Sequence, residues 1–320
     1  MGRRIFAGLV GALVFSLLAL ACSSALSTRA CAAEGVVQGY QVLTSSDSTF
    51  IVLYPPHLER MAREIDKLLE ESARGIADEL GLERIGTIKV ILASDTKTYR
   101  ILHHGKVPEW GIAFSSLEDQ VLGIDVDLVV RNPRPFSTVV RHELSHLLLS
   151  QRVEGARVPT WFMEGLAMRQ AGEWGLSDEW RFMTLAARRT LPYLEELQGA
   201  FPSSADEAAL DYGLSYLAVD DLLRDRPGAL MTLTAFIRDT RDFESAFTST
   251  FGLSTYDFAG KLYVEIDRRY KVPGTILNAT PYWLALAVLF VAVYVVKRVR
   301  MRRKLDRWDK EEESERRFLY

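Results

Sequence analysis

The sequence predicts an α+β protein with an N-terminal mixed α/β lobe, a C-terminal helical lobe and one C-terminal transmembrane helix. Three observations predict it. In the first half, short runs rich in Val and Ile alternate with a long amphipathic stretch. In the second half the pattern is helical, with serine–acid pairs at the helix starts. Near the end, "YWLALAVLFVAVYVV" carries no charge and runs straight into a basic cluster.

The elements follow in order. "TFIVLYPP" reads as a strand stopped by Pro55 and Pro56. "HLERMAREIDKLLEESARGIADELG" reads as a helix with Leu58, Met61, Ile65, Leu68, Leu69, Ile76 and Leu80 on one face and Gly81 as its stop. "TIKVILA" is a second strand, followed by a short helix near Lys97 to Leu102. "WGIAFSS" and "QVLGIDVDLVV" read as further strands of a small sheet. Among the later helices, Ser204 with Glu207 and Ser254 with Asp257 have the spacing of capping boxes.

The two ends are read separately from this body. Arg3 and Arg4 precede an apolar run from Ile5 to Ala21, and Ala30-Cys31-Ala32 resembles a cleavage site, so 1–33 reads as a signal peptide. An uncleaved anchor and lipidation at Cys22 are the other readings of this segment. At the other end, 276–296 has the roughly 20 residues needed to span a bilayer. Lys297, Arg298, Arg300, Arg302, Arg303 and Lys304 form a cytoplasmic flank, and Tyr282 and Trp283 suit the opposite interface. The expected topology puts the body, 34–272, outside the membrane and the tail, 297–320, inside. The only two cysteines, Cys22 and Cys31, fall in the signal, which excludes disulfides and thiolate metal sites from the mature body. A net charge of −3 and a pI near 6.0 give no reason to expect nucleic acid as a partner.

The stretch "VVRHELSHLLLS" sets His142, Glu143 and His146 in an otherwise apolar run. Positions four apart share a helix face, so both imidazoles can point at one ion, as a tetrahedral zinc needs. Glu143 projects beside them, where it can take a proton from an activated water. With five histidines in the chain, a chance HExxH arises in about one such sequence in 200. A third ligand is required. Glu164, with 17 residues between it and His146, lies in the apolar "VPTWFMEGLAMRQ", where an unpaired carboxylate would be costly. Glu154, in the polar "QRVEGARV", is the competitor.

HELSH followed by WFMEGLA resembles the glutamate zincins (gluzincins), and most closely the bacterial peptidase MA-like metalloproteases, from about Phe50 to Tyr270. The resemblance implies a zincin fold, one zinc held by His142, His146 and Glu164, and Glu143 as general base. It also implies an oxyanion-stabilising tyrosine in "DYGLSYLAVDDL": Tyr212, with Tyr216 as runner-up, although Ser215 replaces the glycine of the family's Y-x-x-G. No counterpart of the aminopeptidases' G-x-M-E-N strand precedes His142, and "WGIAFSS" occupies that place without a carboxylate in 111–116. Endopeptidase action on peptide or protein substrates near a bacterial cytoplasmic membrane is therefore expected. The rival is an anchored binding or sensing module with the same fold and no turnover, which would have no need of Glu143. His103, His104 and the charged tail read as solvated.

Overall fold

The computed structural model describes residues 38–102, 112–131, 135–197, 199, 204–271 and 282–302. Residues 1–33, read as a signal peptide, together with His103, His104 and the tail after Arg302, lie outside the described residues. The chain divides into two units. The main one holds the described residues up to Phe182 together with Leu191–Val264; the other holds Met183–Thr190 and those from Glu265 onward.

In the main unit, β1 (Gln41–Thr44), β2 (Phe50–Tyr54), β3 (Ile88–Ala93), β4 (Ala113–Ser116) and β5 (Val121–Asp125) form one five-stranded sheet in the order β1-β2-β3-β5-β4. The three central strands are parallel, and β1 and β4 are antiparallel edges. Val52, Ile88, Val90, Leu92, Leu122 and Ile124 are fully buried, as parallel strands flanked by crossovers require. The crossover from β2 to β3 is α1 (Glu59–Leu80), whose buried residues Ala62, Ile65, Leu69, Ala73, Ile76 and Leu80 recur at helical spacing. Gly81 ends it at φ 68°, a left-handed conformation that a Cβ would oppose. Met61 and Leu68 are only half-buried, because the stripe is centred on the alanines instead.

One expected element divides. After α2 (Thr96–Leu102) and β4, "QVLGIDVDLVV" is not a single strand but β5 followed by α3 (Val126–Arg131). The break is chemical: Oδ1 of buried Asp125 accepts the Leu128 amide hydrogen at 3.1 Å, which caps the new helix.

The rest of the main unit is helical: α4 (Phe136–Arg152), α5 (Thr160–Ala171), α6 (Leu176–Ala186), α7 (Ala205–Leu223), α8 (Ala229–Thr240), α9 (Phe243–Phe251) and α10 (Thr255–Ile266), with α6 and α10 running into the second unit. The Ser204 and Ser254 hydroxyls accept the Glu207 and Asp257 amides at 3.4 and 3.0 Å, as the boxes predict. The reciprocal arm differs. Each acid takes the serine's own hydroxyl hydrogen, at 2.6 and 2.7 Å, while the Thr255 amide is satisfied by Glu244 of α9.

Packing is densest where α5 lies between α4 and α7. At Gly165 the approach is so close that a Cβ would fall 2.1 Å from the Ser215 carbonyl oxygen and 2.8 Å from Val219 Cγ2. Ser215 is tolerated there because its hydroxyl donates to the Asp211 carbonyl at 2.7 Å, within its own helix. Gly165→Ala is expected to lower stability by about 2 kcal/mol: overpacking against backbone outweighs the roughly 1 kcal/mol gained in helix propensity. Urea denaturation reads this, and an unchanged midpoint would contradict the packing account.

In the second unit, α11 (Tyr282–Arg302) is a 21-residue helix long and apolar enough to cross a membrane. At 1.5 Å per residue it measures about 31 Å, close to the bilayer's hydrocarbon thickness. Its side chains are all exposed. It extends beyond the expected 276–296 through Lys297, Arg298, Arg300 and Arg302; residues 276–281 are outside the described residues.

Candidate metal centre

Helix α4 enters after Pro135 and buries Val139, Val140, Leu144, Leu147 and Leu148. That leaves His142 and His146 one turn apart, with ring centroids 4.9 Å apart. The far end of the helix is held on several sides. The Gly86 amide donates to Gln151 Oε1 at 2.7 Å, and Gln151 Nε2 donates to Gln120 Oε1 at 2.7 Å. Arg241 Nη1 donates to the Val153 and Glu154 carbonyls at 3.2 and 2.9 Å. A helix fixed in this way presents its side chains from a rigid support.

Helix α5 supplies Glu164. Pro159 sets its start, and Trp161 and Phe162 anchor it by packing against Phe243, with centroids 5.9 and 5.4 Å away. Glu164 Oε2 lies 3.4 Å from His142 Nε2, and its Oε1 lies 3.7 Å from His146 Nε2. One donor atom from each of the three residues falls within 4.8 Å of the others. A tetrahedral zinc with bonds of about 2.0–2.1 Å needs ligand–ligand separations of roughly 3.3–3.4 Å. The two His–Glu separations are close to that, and two imidazoles with one carboxylate suit zinc chemically. The residues therefore fit a metal. Glu154 does not join them: it is exposed at φ 51°, in a left-handed turn shared with Gly155 at φ 70°.

The electrostatics agree with a site built for positive charge. Burial disfavours protonated His142, but the Glu164 and Glu173 carboxylates outweigh it and hold the imidazole well above its ordinary pKa. Burial likewise opposes the Glu164 carboxylate, yet His146 and His142 keep its pKa below the ordinary value. Glu143, next to His142 in α4, is half-buried and is not one of the three donors. Buried Tyr99 of α2 feels it: burial pushes the phenol well up, and the Glu143 and Asp125 charges push the same way.

Tyr212 is half-buried on α7. It stands three residues before Ser215, hence on the helix flank that approaches α5. Tyr216, one turn on, stacks flat on Trp174 with centroids 4.6 Å apart and planes at 9°. Sequence reasoning missed Glu173, whose Oε1 lies 2.8 Å from His142 Nδ1. In "RQAGEWG" it reads as a loop acid, and only the turn at Gly172 brings it back to the histidine.

A family profile described as the peptidase MA superfamily matches residues 99–263. The match takes in α4, α5 and α7, with His142, Glu143, His146, Glu164, Glu173 and Tyr212. No curated protein matches the sequence. A metal-dependent class of peptidases agrees with the His-His-Glu cluster. With just over half of its 320 residues matched, the chain belongs to the peptidase MA superfamily.

Proposed function

We propose that this protein is a membrane-anchored zinc metallopeptidase of the zincin fold, acting as an endopeptidase. Its parts are a signal peptide (1–33), a peptidase domain (34–272), a transmembrane helix and a cytoplasmic tail. The observation that carries this reading is the convergence of His142, His146 and Glu164 donors within 4.8 Å; Glu143 follows His142 in the same helix. Zinc, when bound by these residues, supplies Lewis acidity toward the scissile carbonyl and an acidified water.

The protein's own groups do the rest. Glu143 accepts the proton of the attacking water and passes it to the leaving amine nitrogen. Tyr212 donates its phenolic hydrogen to the developing oxyanion. Tyr212→Phe is expected to lower kcat by roughly 10²–10³ with a smaller change in KM and zinc retained, since one preorganised donor is lost. Steady-state kinetics on a cleaved peptide check this; an unchanged kcat would reduce Tyr212 to a packing role.

Endopeptidase action is supported by β4. Among the described residues this edge strand pairs only with β5 and lies against α4, so its free edge can pair with an extended peptide. No carboxylate in 111–116 is available there to read a free amino terminus. Residues 272–281 join the body to α11 with at most about 35 Å of chain, which favours membrane-proximal substrates. Protease added to intact spheroplasts is expected to remove the body and spare the tail. The opposite pattern would reverse the orientation and undercut the export reading.

A further inference from the structure

We propose that Glu173 is a positioning residue for the metal centre, holding His142 from behind so that Nε2 faces Glu164 and the ion. This rests on the metal-site reading above and adds to it a residue outside the HExxH and W-x-x-E-G-x-A segments.

The placement is built by a turn rather than by helical register. Helix α5 stops at Gly172 in a left-handed conformation, φ 68°, with the Gly172 and Glu173 amides donating back to the Arg169 and Met168 carbonyls at 3.2 and 3.0 Å. The chain thereby reverses just past the helix that carries Glu164. The next residue, Trp174, locks the reversal: it stacks on Tyr216 of α7 and meets Phe182 of α6 edge-on at 6.1 Å. Phe182 is itself seated over Gly213, where a Cβ would fall 2.4 Å from its ring. Glu173 is thus delivered to His142 by a strap anchored on two other helices.

Its side chain is only 6% exposed, and a carboxylate is costly to bury without a partner. His142 Nδ1 lies within ion-pair distance of it, at 2.8 Å. A carboxylate on Nδ1 keeps the hydrogen there and leaves the Nε2 lone pair for the metal. The two histidines are not equivalent in this respect. Among the described residues, the one carboxylate within ion-pair distance of His146 is Glu164, at Nε2, whereas His142 has Glu164 at Nε2 and Glu173 at Nδ1.

The test is the zinc affinity of the full-length protein in detergent, measured by competition with a chromophoric chelator, for wild type, Glu173→Ala and Glu173→Gln. Loss of such an outer partner typically weakens metal binding 10–100-fold. Glu173→Ala is expected to fall in that range, and Glu173→Gln, which keeps an acceptor oxygen, to lose less. Melting of the metal-free variants should match wild type, which separates positioning from folding. Wild-type affinity in Glu173→Ala overturns the proposal and leaves the metal site standing, whereas wild type that binds no zinc overturns both. If Glu173→Ala does not fold, Glu173→Gln decides: weakened binding supports the role and unchanged binding refutes it.

Discussion

Glu143→Gln is expected to keep its zinc and lose turnover. Glutamine preserves the shape of the side chain and its half-buried place on α4 but has no basicity with which to take a proton. Loss of a positioned general base costs about 10²–10⁴ in rate. The donors proposed to hold zinc are His142, His146 and Glu164, so metal content should not change. Full peptidase activity in this variant would assign the activity to another site or a contaminant. A wild type that binds zinc and cleaves nothing, across a peptide library and membrane-derived substrates, would favour the binding or sensing module.

Glu164→Ala has the opposite signature: zinc itself is lost. Here one of the three proposed ligand bonds disappears, and the imidazoles lose the carboxylate that lies 3.4 and 3.7 Å from them. Since removing an outer partner alone costs 10–100-fold in affinity, removing a ligand is expected to cost more than about 100-fold. Chelator competition on the two variants separates the roles: one binds zinc without turning over, the other fails at the first step. Wild-type affinity in Glu164→Ala would remove it from the ligand set.

The contrast between Glu164 and Glu173 shows what was legible in the sequence. His142 and His146 could be read because one helical turn converts spacing into convergence. Glu164 could be read because a carboxylate between Phe162 and Leu166 has to be explained. Glu173 offered no such signal, since an acid after a helix-ending glycine is ordinarily solvated; its role depends on a left-handed turn and on Trp174 finding Tyr216. Gly165 is similar. It stood in the motif, but its reason lies in Ser215, fifty residues away in the chain.

The fold divides along the same line. Local chemistry gave α1 its stop at Gly81 and α7 its serine cap. Residues 120–130 read as one strand because their Val and Leu content masks a switch made by a single side chain, Asp125, bonding the Leu128 amide. The strand order, which leaves β4 at an edge against α4, arises from long-range pairing that no local pattern specifies.

His142, His146 and Glu164 are proposed to form a zinc site. Elemental analysis of full-length protein, purified without exposure to chelator, tests it most directly. One zinc per chain is expected, since three protein ligands leave a position open for water. Protein with no stoichiometric transition metal would contradict it.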